Sequence, residues 1–158
     1  MSDVDALQTP RRRPPQSVLF VCSENSVRSP MAEALTRKLS NNRVYAASVG
    51  LRRGRTDGFA AEVLREIGIE NGLRAPRAWE EFEDEAFDLV VSLTPEARDR
   101  IAELARGVPT ELAYWPTPDP TLIEGSRETV LDAYRAVRDG LARRIRELFG
   151  SPGPESRS

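Results

Sequence analysis

Four short apolar runs, SVLFVC (17–22), RVYAASVG (43–50), FDLVVSL (87–93) and TELAYW (110–115), are each followed, directly or after a short loop, by a stretch of helical periodicity. An apolar run without polar alternation suits a strand buried on both faces, the setting of parallel sheets whose crossovers are helices. This alternation restricts the chain to an α/β fold, a parallel sheet covered on both sides by right-handed crossovers. Ligands of such sheets bind outside the carboxyl ends of the strands. Cys22, Gly50, Leu93 and Trp115 with the loop behind it therefore mark the edge where a site is expected.

The intervening segments carry helix signals. After the first strand, Ser29 is the expected cap, Pro30 suits the first turn, and Met31, Leu35 and Leu39 recur on one face. Residues 56–68 form the next helix, with Thr56 or Asp57 as cap, Val63, Leu64 and Ile67 inward and Gly68 as stop. Thr94 and Pro95 open a helix that ends at Gly107. The last helix, about 126–149, buries Val130, Tyr134, Val137, Leu141, Ile145 and Leu148, with Gly140 weakening its middle. Residues 1–15, with Arg11–Arg13 among prolines, and 150–158 read as flexible tails around one domain over 16–149.

The chain of 158 residues is the size of one domain, and its net charge of −2 with scattered basic residues proposes no nucleic-acid partner. No apolar run approaches the ~20 residues that span a bilayer, and the first residues lack a signal peptide's apolar stretch. A cytoplasmic location follows as the default. Of the 23 basic residues all but Lys38 are arginine, so the spacing of Cys22 to Arg28 alone says little.

The context of Cys22 says more. It is the only cysteine, it ends a buried strand, and a five-residue loop leads from it to Arg28 and a helix start. A thiol attacks as thiolate, and at a reference pKa of ~8.5 only a few per cent is ionised at pH 7, so positive potential must be supplied. A helix N-terminus, a nest of loop amides and a planar arginine provide it for a thiolate and for a tetrahedral oxyanion alike. The chain has no histidine, which excludes a Cys–His pair, and no metal-ligand cluster is visible. No cofactor is expected.

VLFVCSENSVRSPMAEAL resembles the catalytic loop and following helix of the low molecular weight protein tyrosine phosphatases, a family that shares its fold with the thioredoxin-linked arsenate reductases. The resemblance runs over about residues 17–148, through Ser48–Gly50, FDLVVSLTPEARDRI and Asp119-Pro120. It implies a flavodoxin-like sheet of four parallel strands in the order 2-1-3-4, with helices on both faces, and a Cys-x5-Arg-Ser mechanism through a phosphocysteine. Carried over by position, Cys22 is the nucleophile, and Arg28 binds phosphate oxygens and stabilises the transition state. Ser29 hydrogen-bonds the thiolate, and Asp119 is the general acid and then base. The loop Ser23, Glu24, Asn25, Ser26, Val27 and Arg28 cradles phosphate. Asn25 holds its left-handed turn, supported by a hydrogen bond from Ser48. The implied partners are a phosphorylated protein substrate and a phosphate or other oxyanion, with no nucleic acid, no membrane insertion, and a monomer or weak dimer.

Several positions depart from the family. Glu24 stands where glycine is usual, and its carboxylate is expected to point out from the rim. Ser26 replaces the isoleucine of tyrosine-directed and the threonine of phosphoarginine-directed members. Thr121 and Leu122 follow Asp119-Pro120 where an aromatic wall is usual, and Arg52, Arg53 and Arg55 crowd the loop after the second strand. Val27 occupies the place of a second loop cysteine. Arsenate reduction of the thioredoxin-linked type needs further cysteines, so it is closed here unless an external thiol substitutes. Phosphotyrosine is the leading substrate. The alternatives are phosphoarginine, arsenate with an external thiol, and a phosphoprotein-binding module with weak turnover.

Overall fold

A computed structural model describes residues 14–70, 72–82 and 85–150, so nearly all of both expected tails lies outside the described residues. Within them, Pro15 is already buried, and the Gln16 N–H donates to Asp88 Oδ2 (2.8 Å), tying the entrance of the first strand to the third.

The strands are β1 (Ser17–Cys22), β2 (Tyr45–Gly50), β3 (Leu89–Ser92) and β4 (Glu111–Tyr114), all parallel in the order β2-β1-β3-β4. Four helices complete the fold: α1 (Arg28–Leu39), α2 (Gly58–Arg65), α3 (Pro95–Leu104) and α4 (Arg127–Phe149). Because side chains alternate along a strand, β1 sends Val18, Phe20 and Cys22 to one face and Leu19 and Val21 to the other. The first face packs on α1, α2 and α4 through Met31, Leu35, Val63, Leu64, Leu131 and Ile145. The second packs on α3 and the segment before β3 through Ala97, Ile101, Phe82 and Phe87. The central strands are covered on both faces, as their unbroken apolar sequence requires. The edge strand β4 is not: Glu111 and Leu112 are exposed.

Local signals account for most boundaries. Asp57 caps α2 through the N–H groups of Phe59 and Ala60, Thr94 caps α3 through that of Ala97, and Ser126 caps α4 through that of Thr129. Gly68 (φ 87°) and Gly107 (φ 79°) turn the chain after α2 and α3 in the left-handed region that glycine tolerates. Two expectations are corrected. Ile67 faces outward, 39% exposed, because α2 ends at Arg65 and the turn through Gly68 sends Ile69 into the core instead. Ser29 does not cap α1; the helix starts at Arg28 behind Val27, which offers no side-chain cap. The hydroxyl of Ser29 serves the site instead.

Candidate active site

The loop from Cys22 to Arg28 is shaped by a neighbour. Beyond the last paired residues of β1 and β2, the N–H groups of Leu51, Arg52 and Gly54 donate to the carbonyls of Cys22 (3.0 Å), Ser23 (2.9 Å) and Glu24 (2.7 Å), and Arg55 N–H donates to Ser26 Oγ (3.0 Å). In a trans peptide the C=O and the N–H point in opposite directions. Drawing these carbonyls outward therefore turns the N–H groups of Ser23, Glu24 and Asn25 inward. That of Asn25 ends on Cys22 Sγ (3.2 Å). The close approach leaves no room for side chains at Gly50 and Gly54: a Cβ on Gly50 would lie 2.5 Å from Asn25 N, and one on Gly54 2.6 Å from Glu24 O. Asn25 itself sits at φ 54°, a left-handed turn that asparagine tolerates.

Cys22 is 2% exposed at the bottom of a cleft of about 330 Å3 whose lining includes Ser23, Glu24, Ser26, Val27, Arg28 and Asp119. Its sulfur lies 2.9 Å from Ser29 Oγ. Ser29 Oγ in turn accepts from Asn25 Nδ2 (2.8 Å) and lies 3.3 Å from the carbonyl of Val49. With a lone pair of Ser29 taken by Asn25, its single proton goes either to the sulfur or to the Val49 carbonyl, which can only accept. A thiolate there would accept two hydrogen bonds, from the Ser29 hydroxyl and the Asn25 N–H. Arg28, anchored by Nη1 to the Thr117 carbonyl (3.0 Å), reaches Asp119 with Nη2 (3.7 Å to Oδ2). Asp119 caps the short 3₁₀ turn Pro120–Leu122, its Oδ1 accepting from Thr121 N–H (3.0 Å) and Thr121 Oγ1 (2.6 Å), which leaves Oδ2 toward the cleft. The structure thus brings Cys22, Asn25, Arg28, Ser29 and Asp119 to one place.

Glu24 is exposed at the mouth. Ser23 Oγ lies 3.2 Å from Thr94 Oγ1. Arg52, beside the mouth, makes a two-pronged ion pair with Glu96 (2.8 and 3.2 Å). Hydrogen bonds from Arg52 and then Ser23 hold the Glu96 carboxyl below its ordinary range. Arg53 pairs with Glu81 (2.6 Å). No aromatic residue is among those lining the cleft.

Ser48 does not reach Asn25. Its hydroxyl donates to Glu33 Oε1 (2.7 Å), and the Asn25 side-chain oxygen accepts instead from the main-chain N–H of Arg77 (2.7 Å). Glu33 is 2% exposed and is met by Arg37, Arg74 (3.1 Å) and Arg77 (3.2 Å) as well as Ser48. Sequence reasoning passed over both residues. Glu33 had a signal, a carboxylate four residues after Ser29 and so on the same side of α1 as the site serine; Arg77, in an aperiodic loop, had none.

A family model described as low molecular weight phosphotyrosine protein phosphatase matches residues 17–156. Among curated relatives, an arsenate reductase of Halalkalibacterium halodurans is 29% identical over 131 residues, 82% of this chain and 91% of its own. A protein-arginine-phosphatase of Geobacillus stearothermophilus is 31% identical over 150 residues, covering 85% and 94%. Among solved structures, a YwlE mutant from Bacillus subtilis superposes with a TM-score of 0.68 at 28% identity, over 84% of this chain and 95% of that one. With the family model matching residues 17–156 and the fold superposing on a solved relative over 84% of this chain, the chain belongs to the low molecular weight phosphotyrosine protein phosphatase family.

Proposed function

We propose that this chain is a cysteine-dependent phosphatase acting on phosphorylated protein side chains, phosphotyrosine first among them, as a monomer or weak dimer in the cytoplasm. The observation that carries the reading is the convergence on one sulfur of two hydrogen-bond partners, Ser29 and the Asn25 N–H, with Arg28 and Asp119 lining the same cleft.

In the first step the Cys22 thiolate attacks phosphorus, the bond to the leaving oxygen breaks, and that oxygen takes the proton of the Asp119 carboxyl. Arg28 and the inward amides hold the equatorial oxygens as charge develops. In the second step the Asp119 carboxylate takes a proton from water as it attacks, the S–P bond breaks, and Cys22 leaves as a thiolate held by Ser29. Phosphate is released and both groups return to their starting states.

The test is hydrolysis of para-nitrophenyl phosphate between pH 5 and 7.5. Cys22→Ser is expected to abolish release, and Asp119→Ala to slow it about a hundredfold. No release by the wild-type protein, with phosphopeptide binding intact, would leave a binding module. A second reading, phosphoarginine hydrolysis, is favoured by the absence of an aromatic ring among the cleft-lining residues and by the similarity to a protein-arginine-phosphatase. Comparing kcat/KM on phosphotyrosine and phosphoarginine peptides decides between them. Arsenate turnover dependent on an added thiol would support the third possibility that the similarity to arsenate reductases raises.

A further inference from the structure

We propose that Arg77, anchored by Glu33, is a positioning residue that fixes the direction of the hydrogen bonds reaching Cys22; the proposal rests on the phosphatase reading of the same site. An asparagine side chain has an accepting oxygen and a donating nitrogen, and which end faces which neighbour is set by its partners. The main-chain N–H of Arg77 can only donate, so it demands the Asn25 oxygen (2.7 Å). The nitrogen must then face Ser29, where it lies 2.8 Å from Oγ. Ser29, with that lone pair occupied, is left to spend its single proton on the sulfur (2.9 Å) or on the Val49 carbonyl (3.3 Å), and the shorter contact is to the sulfur. With the amide reversed, its oxygen would take the Ser29 proton and Cys22 would lose a donor.

Arg77 is fixed on every side. Its carbonyl accepts from Gly50 N–H (2.8 Å), which places it beside the end of β2. Its guanidinium donates to Glu33 Oε1 (3.2 Å) and stacks over the Phe82 ring at 4.7 Å. Its Nε is buried and finds no hydrogen-bond partner among the described residues. Stranding an N–H in this way is unfavourable. The arrangement is better understood as holding the main chain of residue 77 against Asn25 than as a stabilising ion pair. Glu33 lies one turn after Ser29 on α1, so the same helix carries the start and the end of the chain of contacts. Arg37 and Arg74 also meet Glu33 but do not bond to Asn25, which makes them internal controls.

The experiment is a double-mutant cycle on para-nitrophenyl phosphate turnover with Arg77→Ala and Ser29→Ala. Arg77→Ala is expected to lower kcat about tenfold while KM changes less than about twofold, because sub-ångström misplacement of a reacting group costs rate rather than binding. In the Ser29→Ala background the same change is expected to cost nothing further. Glu33→Gln, which keeps the acceptor oxygen, and Arg77→Lys are expected to retain most of kcat, whereas Arg37→Ala is expected to shift the melting temperature and leave kcat in place. Additive losses for Arg77 and Ser29, or a loss from Arg37→Ala equal to that from Arg77→Ala, would overturn the proposal. Should the wild-type protein release no phosphate, the phosphatase reading fails separately, and the same cycle is run on the rate of Cys22 alkylation by iodoacetamide. There, non-additive effects of Arg77 and Ser29 support the proposal, and additive ones refute it.

Discussion

The two hydrogen bonds at the Cys22 sulfur act on different stages of a two-step reaction. The Asn25 N–H belongs to the loop and is present throughout, whereas the Ser29 hydroxyl matters most when the S–P bond breaks and negative charge returns to sulfur. A hydrogen bond to a charged group contributes about 1.5–3 kcal/mol, equivalent to roughly a ten- to hundredfold change in rate. Ser29→Ala is expected to slow the second step by that factor and the first by less. The phosphocysteine should then accumulate, and pre-steady-state measurement should show a larger burst of para-nitrophenol ahead of a slower steady rate; equal slowing of both phases would refute the assignment. Glu24 sets a different problem, since its carboxylate stands at the mouth where a dianion must pass. A carboxylate about 8 Å from a phosphate dianion across solvent repels it by about 1 kcal/mol. Glu24→Gln should therefore lower KM for para-nitrophenyl phosphate about fivefold at low ionic strength, with the difference shrinking as salt is raised. An unchanged KM would mean that the exposed side chain is fully screened.

At the scale of elements, the sequence marked the strands and helices through apolar runs and caps, yet local pattern alone wrongly made Ser29 a helix cap. A serine before proline at the head of an amphipathic stretch has the form of an N-cap, but its oxygen is turned to Cys22, as the family resemblance implied, and to Asn25, which nothing local signalled. Ile67 shows the same limit, because helical spacing continues its face past the point where α2 ends. The junction of α2 and α4 carries an acid-sensitive contact that no local pattern announced. Glu66, at the end of α2, accepts from Arg135 (2.7 Å) and Arg138 (2.9 Å) of α4. These hydrogen bonds, that of Arg135 foremost, lower its pKa from 4.5 to about 2. A carboxyl depressed in the folded state contributes stability that is complete above its unfolded pKa and is lost as pH falls through the folded one. The contribution therefore disappears between about pH 4.5 and about pH 2. Thermal melts of the wild-type protein should fall across that window, and Glu66→Gln should melt lower at pH 7 with a shallower acid dependence. Identical slopes for the two would remove Glu66 from the account.

For the whole molecule, the parallel sheet was legible because β1 and β3 are too apolar to be solvated on either face, which leaves helices as the only cover and the carboxyl edge as the place for chemistry. The residues brought to that edge by long connections were less legible: Arg77 reaches Asn25 across 52 positions, in a loop whose sequence has no period. One property of the whole chain was readable at once, its single cysteine. Peroxide converts a thiolate to a sulfenic acid, which a second thiol normally captures as a disulfide before further oxidation. Here no second cysteine exists to do so. Peroxide treatment should therefore carry Cys22 through the sulfenic acid to the sulfinic acid, with activity recoverable by dithiothreitol early and progressively lost later. Intact mass should show the gain of two oxygen atoms in step with the unrecoverable fraction. Glutathione present during exposure should preserve recoverability by forming a mixed disulfide, and inorganic phosphate should slow oxidation by filling the loop above the sulfur. Full recovery after prolonged peroxide without added thiol, with a mass two hydrogens below the native one, would mean that a main-chain nitrogen captures the sulfenic acid, and Asn25 N, 3.2 Å from Sγ, would be the first place to look.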